Sequence, residues 1–285
     1  MIASVFNKSK PINFVIVIII TFLACLLVFI KDEDKEFSIV LLVELMGVFL
    51  VTVFSIFLMN FIVVKNKLTE QSSYHILLYS LFLALLPTAL ISLNLLLSNV
   101  FVLLALRRLI SLRTQKDIKK KLFDASLWIG VATIFYFWAI FFFALIFIAL
   151  FLYSDNKIKD WIISFTGILT VLLLSICYNL IKYNSLEHLV NFLPNFNFDL
   201  NSYNSMQLIV SITIVLSFSI WSTIFYLRVI RSKLKIFKPP HKIIVATLII
   251  ALSVVVFSDS RTSGEFVFGF GGFSNSCFFI GSCWL

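Results

Sequence analysis

The chain carries little charge for its length, and this shortage decides its class. Only 13% of its 285 residues are Asp, Glu, Lys or Arg, whereas 61% are hydrophobic. A soluble domain of ordinary composition has roughly a quarter charged residues, because its surface has to be hydrated. The composition therefore argues against a soluble globular protein.

The sequence also lacks the short motifs of common enzyme and nucleotide-binding sites. It has no HExxH, GxSxG, Walker A or GxGxxG pattern, and "GFGGF" at 269–273 has neither a strand before it nor a helix after it. The four cysteines show no CxxC pairing, so neither a zinc site nor a disulfide framework is indicated. We predict no catalytic residue, no metal, no cofactor and no nucleic-acid partner. The balance is against an enzyme, although the question stays open.

Long apolar runs stand in place of the missing charge. Residues 12–30 contain no charge, and residues 37–64 contain only Glu44. Runs of about 20 apolar residues match the roughly 30 Å hydrocarbon core of a bilayer at 1.5 Å per helical residue. They do not alternate as strands of a membrane barrel would. The sequence predicts an all-α, polytopic helical membrane protein.

The cations fall in three groups whose positions predict the path through the membrane. Lys8 and Lys10 precede the first run, seven cations lie in residues 107–121, and six lie in residues 228–242. Cytoplasmic loops accumulate Lys and Arg, so an even number of crossings should separate each pair of groups. The uncharged residues 76–106 should then form two helices, about 76–90 and 94–112, that join near Pro87.

The same rule requires one more turn between residues 121 and 228. We favour a broken pair within residues 127–153 that turns around "FYFWA", with a first limb too short to cross alone; the alternative is that the polar loop 182–206 dips into the membrane. The prediction is about nine transmembrane segments, some short or broken, with the N-terminus in the cytoplasm of a bacterial inner membrane. Residues 1–265 form one membrane domain. The Gly-rich residues 266–285 are expected to be a truncated or frame-shifted last span.

The segment "RRLISLRTQKDIKKKLFDASLW", residues 107–128, is the strongest candidate for binding. Juxtamembrane clusters of four to eight cations attract anionic lipid headgroups. Apolar residues at helical spacing also predict a short amphipathic helix in the headgroup plane, with Asp117 and Lys121 as a favourable i,i+4 pair. Lipid or phosphate contact is predicted for Arg107, Arg108, Arg113, Lys119, Lys120 and Lys121.

Polar residues inside the apolar runs are candidates for a role within the membrane: Glu44, Asn60, Asn94 and Asn99. A buried ionisable group is costly, so Glu44 should have a partner, either a cation of the basic segment or an asparagine across a helix interface. Alternatively it reaches the outer headgroups or stays protonated. Asparagines commonly join membrane helices. The histidines, His75, His188 and His241, are predicted to be solvated loop residues.

Three stretches are similar to a known family: "SKPINF", "NFIVVKNKLTEQSSYHILL" and "LLALRRLISLRTQKDIKKKLFDASLWIG". They resemble an uncharacterised family of multi-spanning integral membrane proteins of Bacteroidota, especially flavobacteria, described as a domain of unknown function. The resemblance runs from residue 1 to about residue 270. It implies a multi-spanning inner-membrane protein and assigns no catalytic residue.

Two functions of different classes are compatible with these features. The first is a non-catalytic accessory or scaffold component of a cell-envelope assembly, with the bilayer, anionic headgroups and envelope proteins as partners. The alternative is a membrane protein similar to glycosyltransferases or polymerases, or a carrier, that handles a lipid-linked pyrophosphate sugar. In that case Arg107, Arg108 and Arg113 would grip the pyrophosphate, and Glu44 or Asp124 would serve as a base.

Overall fold

The computed structural model describes residues 6, 10–31, 39–68, 72–84, 90, 92–153, 158–184, 206–232 and 238–257. Within these ranges the chain forms nine α-helices and two 3-10 segments and no strand, which confirms the all-α prediction. The 3-10 segments are Ser111–Thr114 and Phe137–Phe143. The helices are α1 (Pro11–Lys31), α2 (Ile39–Asn66), α3 (Tyr74–Ala84), α4 (Leu93–Ile110), α5 (Ile118–Phe135), α6 (Ala144–Tyr153), α7 (Ile158–Tyr183), α8 (Met206–Ser232) and α9 (Lys238–Phe257).

Four described segments are long and apolar enough to cross a membrane, judged by length and composition: Pro11–Ile30, Ile39–Asn66, Leu93–Thr114 and Ile158–Tyr183. Helices α1, α2 and α7 also leave many large hydrophobic side chains exposed along their length. Soluble monomers rarely expose contiguous apolar surfaces of this extent. Such faces are what a helical membrane protein presents to lipid.

The uncharged run at residues 76–106 is divided into two helices, as the charge distribution predicts. Helix α3 ends at Ala84 and α4 begins at Leu93, while Pro87 lies outside the described residues. The Asn99 amide Nδ2 donates to the Tyr79 hydroxyl at 3.4 Å, so one side chain of each helix reaches the other.

A second break lies within "FYFWA", where it is also predicted. Helix α5 ends at Phe135, and Tyr136 has an extended backbone with φ −149° and ψ 109°. The chain then continues through the second 3-10 segment into α6. The Gln115 side chain donates to the backbone oxygen of Tyr153 at 3.0 Å. The end of α6 therefore lies beside the start of α5. Helix α5 begins at Ile118 and has 18 residues, but its first seven include three lysines and Asp124. It is not among the described segments that are long and apolar enough to cross a membrane.

Two glycines bring α5 and α7 together. Gly167 of α7 lies against Ser126 of α5, and Gly130 of α5 lies against Val171 of α7. Both contacts advance along the two helices in the same direction, so α5 and α7 are parallel. A Cβ on Gly167 would overlap the Ser126 hydroxyl and lie 2.8 Å from the Phe123 carbonyl oxygen. The missing side chain therefore permits the close approach of the two backbones, as small residues do in membrane helix pairs.

Three predictions concern residues that the structure does not describe. The polar loop between α7 and α8 is undescribed from residue 185 to residue 205, and this range includes His188. The Gly-rich terminus at 266–285 also lies outside the described residues. The expectations for these segments stay predictions.

Candidate functional site

Residues 107–121, named here the basic loop, form the closed end of the hairpin between α4 and α5. Gln115 and Asp117 have left-handed backbones with φ 54° and 51°, and they reverse the chain before α5 begins. The predicted amphipathic helix in the headgroup plane is therefore wrong. Its apolar residues are not at a membrane surface but buried in the protein core: Leu106, Leu109, Ile110, Leu122 and Ala125.

Lys121 holds the basic loop closed. Its ammonium donates to the Ser111 carbonyl oxygen at 2.8 Å and to the Thr114 hydroxyl at 2.7 Å. Burial lowers the pKa of the Lys121 ammonium. The Asp117 carboxylate opposes this shift, and nearby cations lower the pKa further. The ion pair predicted for Asp117 is made by Lys120 instead, at 3.8 Å, because the loop's own oxygen atoms engage the Lys121 ammonium.

Arg108 joins the two helices of the hairpin. Its guanidinium lies 3.0 Å from the carboxylate of Asp124, and the two side chains are 43% and 34% exposed. A partly exposed ion pair of this kind contributes about 1 kcal/mol or less. This ion pair neutralises Arg108, which is a predicted phosphate ligand. It also neutralises Asp124, the carboxylate that the alternative function would use as a base.

Arg107 points to a different neighbour, on α2. Its guanidinium carbon lies 4.5 Å from the centre of the Phe61 ring, and the Lys65 ammonium lies 5.1 Å from the same centre. Within the described ranges neither cation forms an ion pair with a carboxylate. Lys65 was not among the predicted ligands, because nothing in the sequence around residue 65 indicates that α2 and α4 are neighbours.

The other predicted cations of the basic loop have separate environments. Arg113 interacts electrostatically with the hydroxyl of Tyr153 at the end of α6, and Lys119 is exposed on the first turn of α5. A shallow crevice lined by residues such as Leu112 and Tyr153 lies beside them, and it has no room for a water molecule. The six cations therefore do not converge on one pocket.

Buried polar side chains pair across helix interfaces. The Asn60 side-chain oxygen of α2 lies 2.8 Å from His75 Nε2 of α3. Asn99 of α4 donates to Tyr79, whose hydroxyl also contacts Ser55 of α2. The prediction that asparagines join helices is confirmed for Asn60 and Asn99.

The prediction that the histidines are solvated loop residues is wrong for two of the three. His75 is 2% exposed on α3, and His241 is 6% exposed on α9. His241 Nδ1 is hydrogen-bonded to the buried Tyr226 hydroxyl of α8. Both histidines lie in the first turn of a helix, where the helix directs the ring toward the preceding helix rather than toward solvent.

Glu44 and Asn94 lie near the starts of their helices. Glu44 is half-buried near the start of α2, whereas Arg107 contacts Phe61, roughly 26 Å farther along that helix at 1.5 Å per residue. Arg107 is therefore not the partner of Glu44, and the pairing of Glu44 with another cation of the basic loop or with an asparagine stays a prediction. Asn94 is exposed on the first turn of α4. No three His, Cys, Asp or Glu side chains of the described chain lie close enough together to hold a metal ion.

No protein-family model, curated protein or solved structure matches this chain. The resemblance to the family of Bacteroidota membrane proteins therefore stays a prediction. The interpretation of the basic loop and of the buried polar pairs rests on their own geometry.

Proposed function

We propose that the protein is a multi-pass component of a bacterial inner membrane that acts without catalysis, as an accessory or scaffold subunit of a cell-envelope assembly. It would cross the bilayer about nine times, with its N-terminus and the basic loop in the cytoplasm. Four described segments, α5, the second 3-10 segment with α6, α7 and α8, separate the basic loop from the cations that begin at Arg228. This even number agrees with the rule that basic segments share the cytoplasmic side.

The pairing of buried polar side chains between helices carries the proposal. Asn60 with His75, Asn99 with Tyr79, and Tyr226 with His241 each link two different helices. Hydrogen bonds of this kind commonly join helices in membranes. A side chain used in this way is a poor acid, base or ligand, because its partner would be left buried and unsatisfied. The polar groups thus support a rigid bundle rather than a reaction centre.

The basic loop supports the same interpretation. The Lys121 ammonium bonds to the loop backbone, and the Arg108 guanidinium pairs with Asp124 across the hairpin. A carrier or transferase for a lipid-linked pyrophosphate would require Arg108 to release Asp124 before it could bind the phosphate. The alternative function is therefore the less favoured proposal.

Single neutralisation of the loop arginines tests the two proposals against each other. We expect R108Q and R113Q each to restore growth of a deletion strain under envelope stress about as well as wild type does, because orientation depends on summed charge. The R108Q variant should lose only stability, by about 1 kcal/mol or less. K119Q, which removes one exposed charge from the same loop, is the matched control. If a single arginine variant fails to restore growth while its abundance in the membrane is normal, the pyrophosphate function gains and the scaffold proposal is overturned.

A further inference from the structure

We propose that Arg107 and Lys65, together with one face of α2, bind a single anionic phospholipid. The site rests on the proposed placement of the basic loop at the headgroup level of a membrane. It is distinct from a general attraction of the whole loop for lipid, because it combines two cations with an apolar track that starts directly beneath them.

The lipid headgroup would bind to the two cations that lie over the Phe61 ring. The Arg107 guanidinium and the Lys65 ammonium lie 4.5 and 5.1 Å from the ring centre. The ring attracts both charges by cation–π interaction, while the two cations repel each other. In the described chain no carboxylate pairs with either of them. A net-negative headgroup that contacts both would neutralise them, and Arg would offer its phosphate a bidentate hydrogen bond.

The track for the acyl chain runs along α2 from the same ring. Phe61, Phe57, Phe54 and Leu50 recur at intervals of three or four residues, so they share one face of the helix. Their side chains are between 41% and 61% exposed. From Phe61 to Leu50 the helix rises roughly 16 Å, and half of the hydrocarbon core is about 15 Å. The track therefore has the length of one leaflet.

The exposed lysines of the basic loop lack this second element. Lys119 and Lys120 lie on the outer side of the first turn of α5, and Lys120 has Asp117 3.8 Å away. They can attract any anionic surface, but no exposed apolar stripe begins beside them on α5, where Leu122 and Ala125 are buried. These two lysines supply a control of equal charge for the two cations of the site.

Photocrosslinking from Val64 tests the site directly. Val64 is 60% exposed and adjoins Lys65, so p-benzoylphenylalanine at this position reaches the lipid held there. The protein is reconstituted in vesicles of equal parts phosphatidylglycerol and phosphatidylcholine, irradiated and analysed by mass spectrometry. Attraction of a juxtamembrane cation for anionic lipid corresponds to about fivefold. We expect at least fivefold more phosphatidylglycerol than phosphatidylcholine in the crosslinked adducts of the otherwise wild-type protein.

Three double variants identify the residues responsible. In K65Q/R107Q the ratio of the two lipids should fall to near one, whereas in K119Q/K120Q it should stay within about twofold of the wild-type ratio. K65R/R107K keeps both charges and should retain the preference for the anionic lipid. Equal losses in the two neutralised variants would show that only summed charge matters, and the site would be refuted.

The two proposals fail in different ways in this experiment. If Val64 crosslinks to neither lipid, that face of α2 is not exposed to a bilayer and the proposed membrane placement is wrong. If it crosslinks to both lipids equally in the wild-type background, the placement stands and the specific site is overturned.

Discussion

Replacing Gly167 with alanine is expected to destabilise the protein strongly. The new Cβ would overlap the Ser126 hydroxyl and would lie 2.8 Å from the Phe123 carbonyl oxygen and 2.9 Å from the Ser126 Cβ. Two of these obstacles cannot rotate away, because they belong to the backbone of α5 or are fixed to it. Helices α5 and α7 would therefore have to separate. The destabilisation should lie at the upper end of the roughly 1–3 kcal/mol that overpacking costs, or exceed it.

Two other glycines of the described helices supply graded controls. A Cβ on Gly47 of α2 would meet nothing within 4 Å, so G47A should be neutral or slightly stabilising through helix propensity. A Cβ on Gly130 would lie 3.0 Å from two carbon atoms of Val171. The stability of G130A should therefore lie between those of G47A and G167A. The midpoint of thermal aggregation in detergent, followed by size-exclusion chromatography, should rank the variants in that order.

Rescue by a second substitution distinguishes this contact from a general intolerance at Gly167. Adding S126G removes the hydroxyl and the Cβ that alanine would strike, so S126G/G167A should recover part of the loss relative to S126G alone. A G167A protein as stable as wild type would show that α5 and α7 do not cross at this point.

Replacing His75 with leucine is expected to have the second-largest effect. The substitution leaves the Asn60 amide without the partner that lies 2.8 Å from it, between α2 and α3. An unsatisfied group of this kind costs about 1–3 kcal/mol, although hydrogen bonds between membrane helices average nearer 0.6 kcal/mol. We expect H75L to lose about 1 kcal/mol of unfolding free energy, measured by reversible denaturant unfolding in detergent micelles.

A double-mutant cycle isolates the hydrogen bond from the change in size. The double variant N60L/H75L replaces the pair by two apolar side chains and should be less unstable than the sum of the single variants, with a coupling of about 0.5–1.5 kcal/mol. N94L is the matched control, because Asn94 is exposed on α4 and should tolerate leucine. Additive effects of N60L and H75L would mean that the pair does not link the helices.

The distribution of charge predicts the helix breaks better than the local sequence does. Tyr136 has no glycine or proline beside it, yet the chain breaks there. Only the need to return the cations to one side of a membrane indicates a turn in that segment. The rule can be applied to a single sequence because it uses sums of charges over loops.

The sequence does not predict which helices contact one another. His75 follows the polar residues "TEQSS", so its surroundings in the chain resemble a solvated loop, but its partner Asn60 lies on another helix. The placement of Arg107 beside Lys65 likewise requires α2 and α4 to be neighbours. Gly167 is an ordinary residue for an apolar helix until the register of α5 against α7 brings Ser126 opposite to it. Each of these contacts depends on packing between segments that no local periodicity encodes.

The path through the membrane is tested most directly by labelling single cysteines in cells. In a variant without the native cysteines, one cysteine is placed at Lys67, at Lys119 or at Asn184, which lie at the ends of α2, of the basic loop and of α7. A membrane-impermeant maleimide is then applied to intact spheroplasts and, separately, to lysed ones. We predict that positions 67 and 119 react only after lysis and that position 184 reacts in intact spheroplasts. Labelling of position 119 in intact spheroplasts, or labelling of positions 119 and 184 from the same side, would contradict the proposed membrane path.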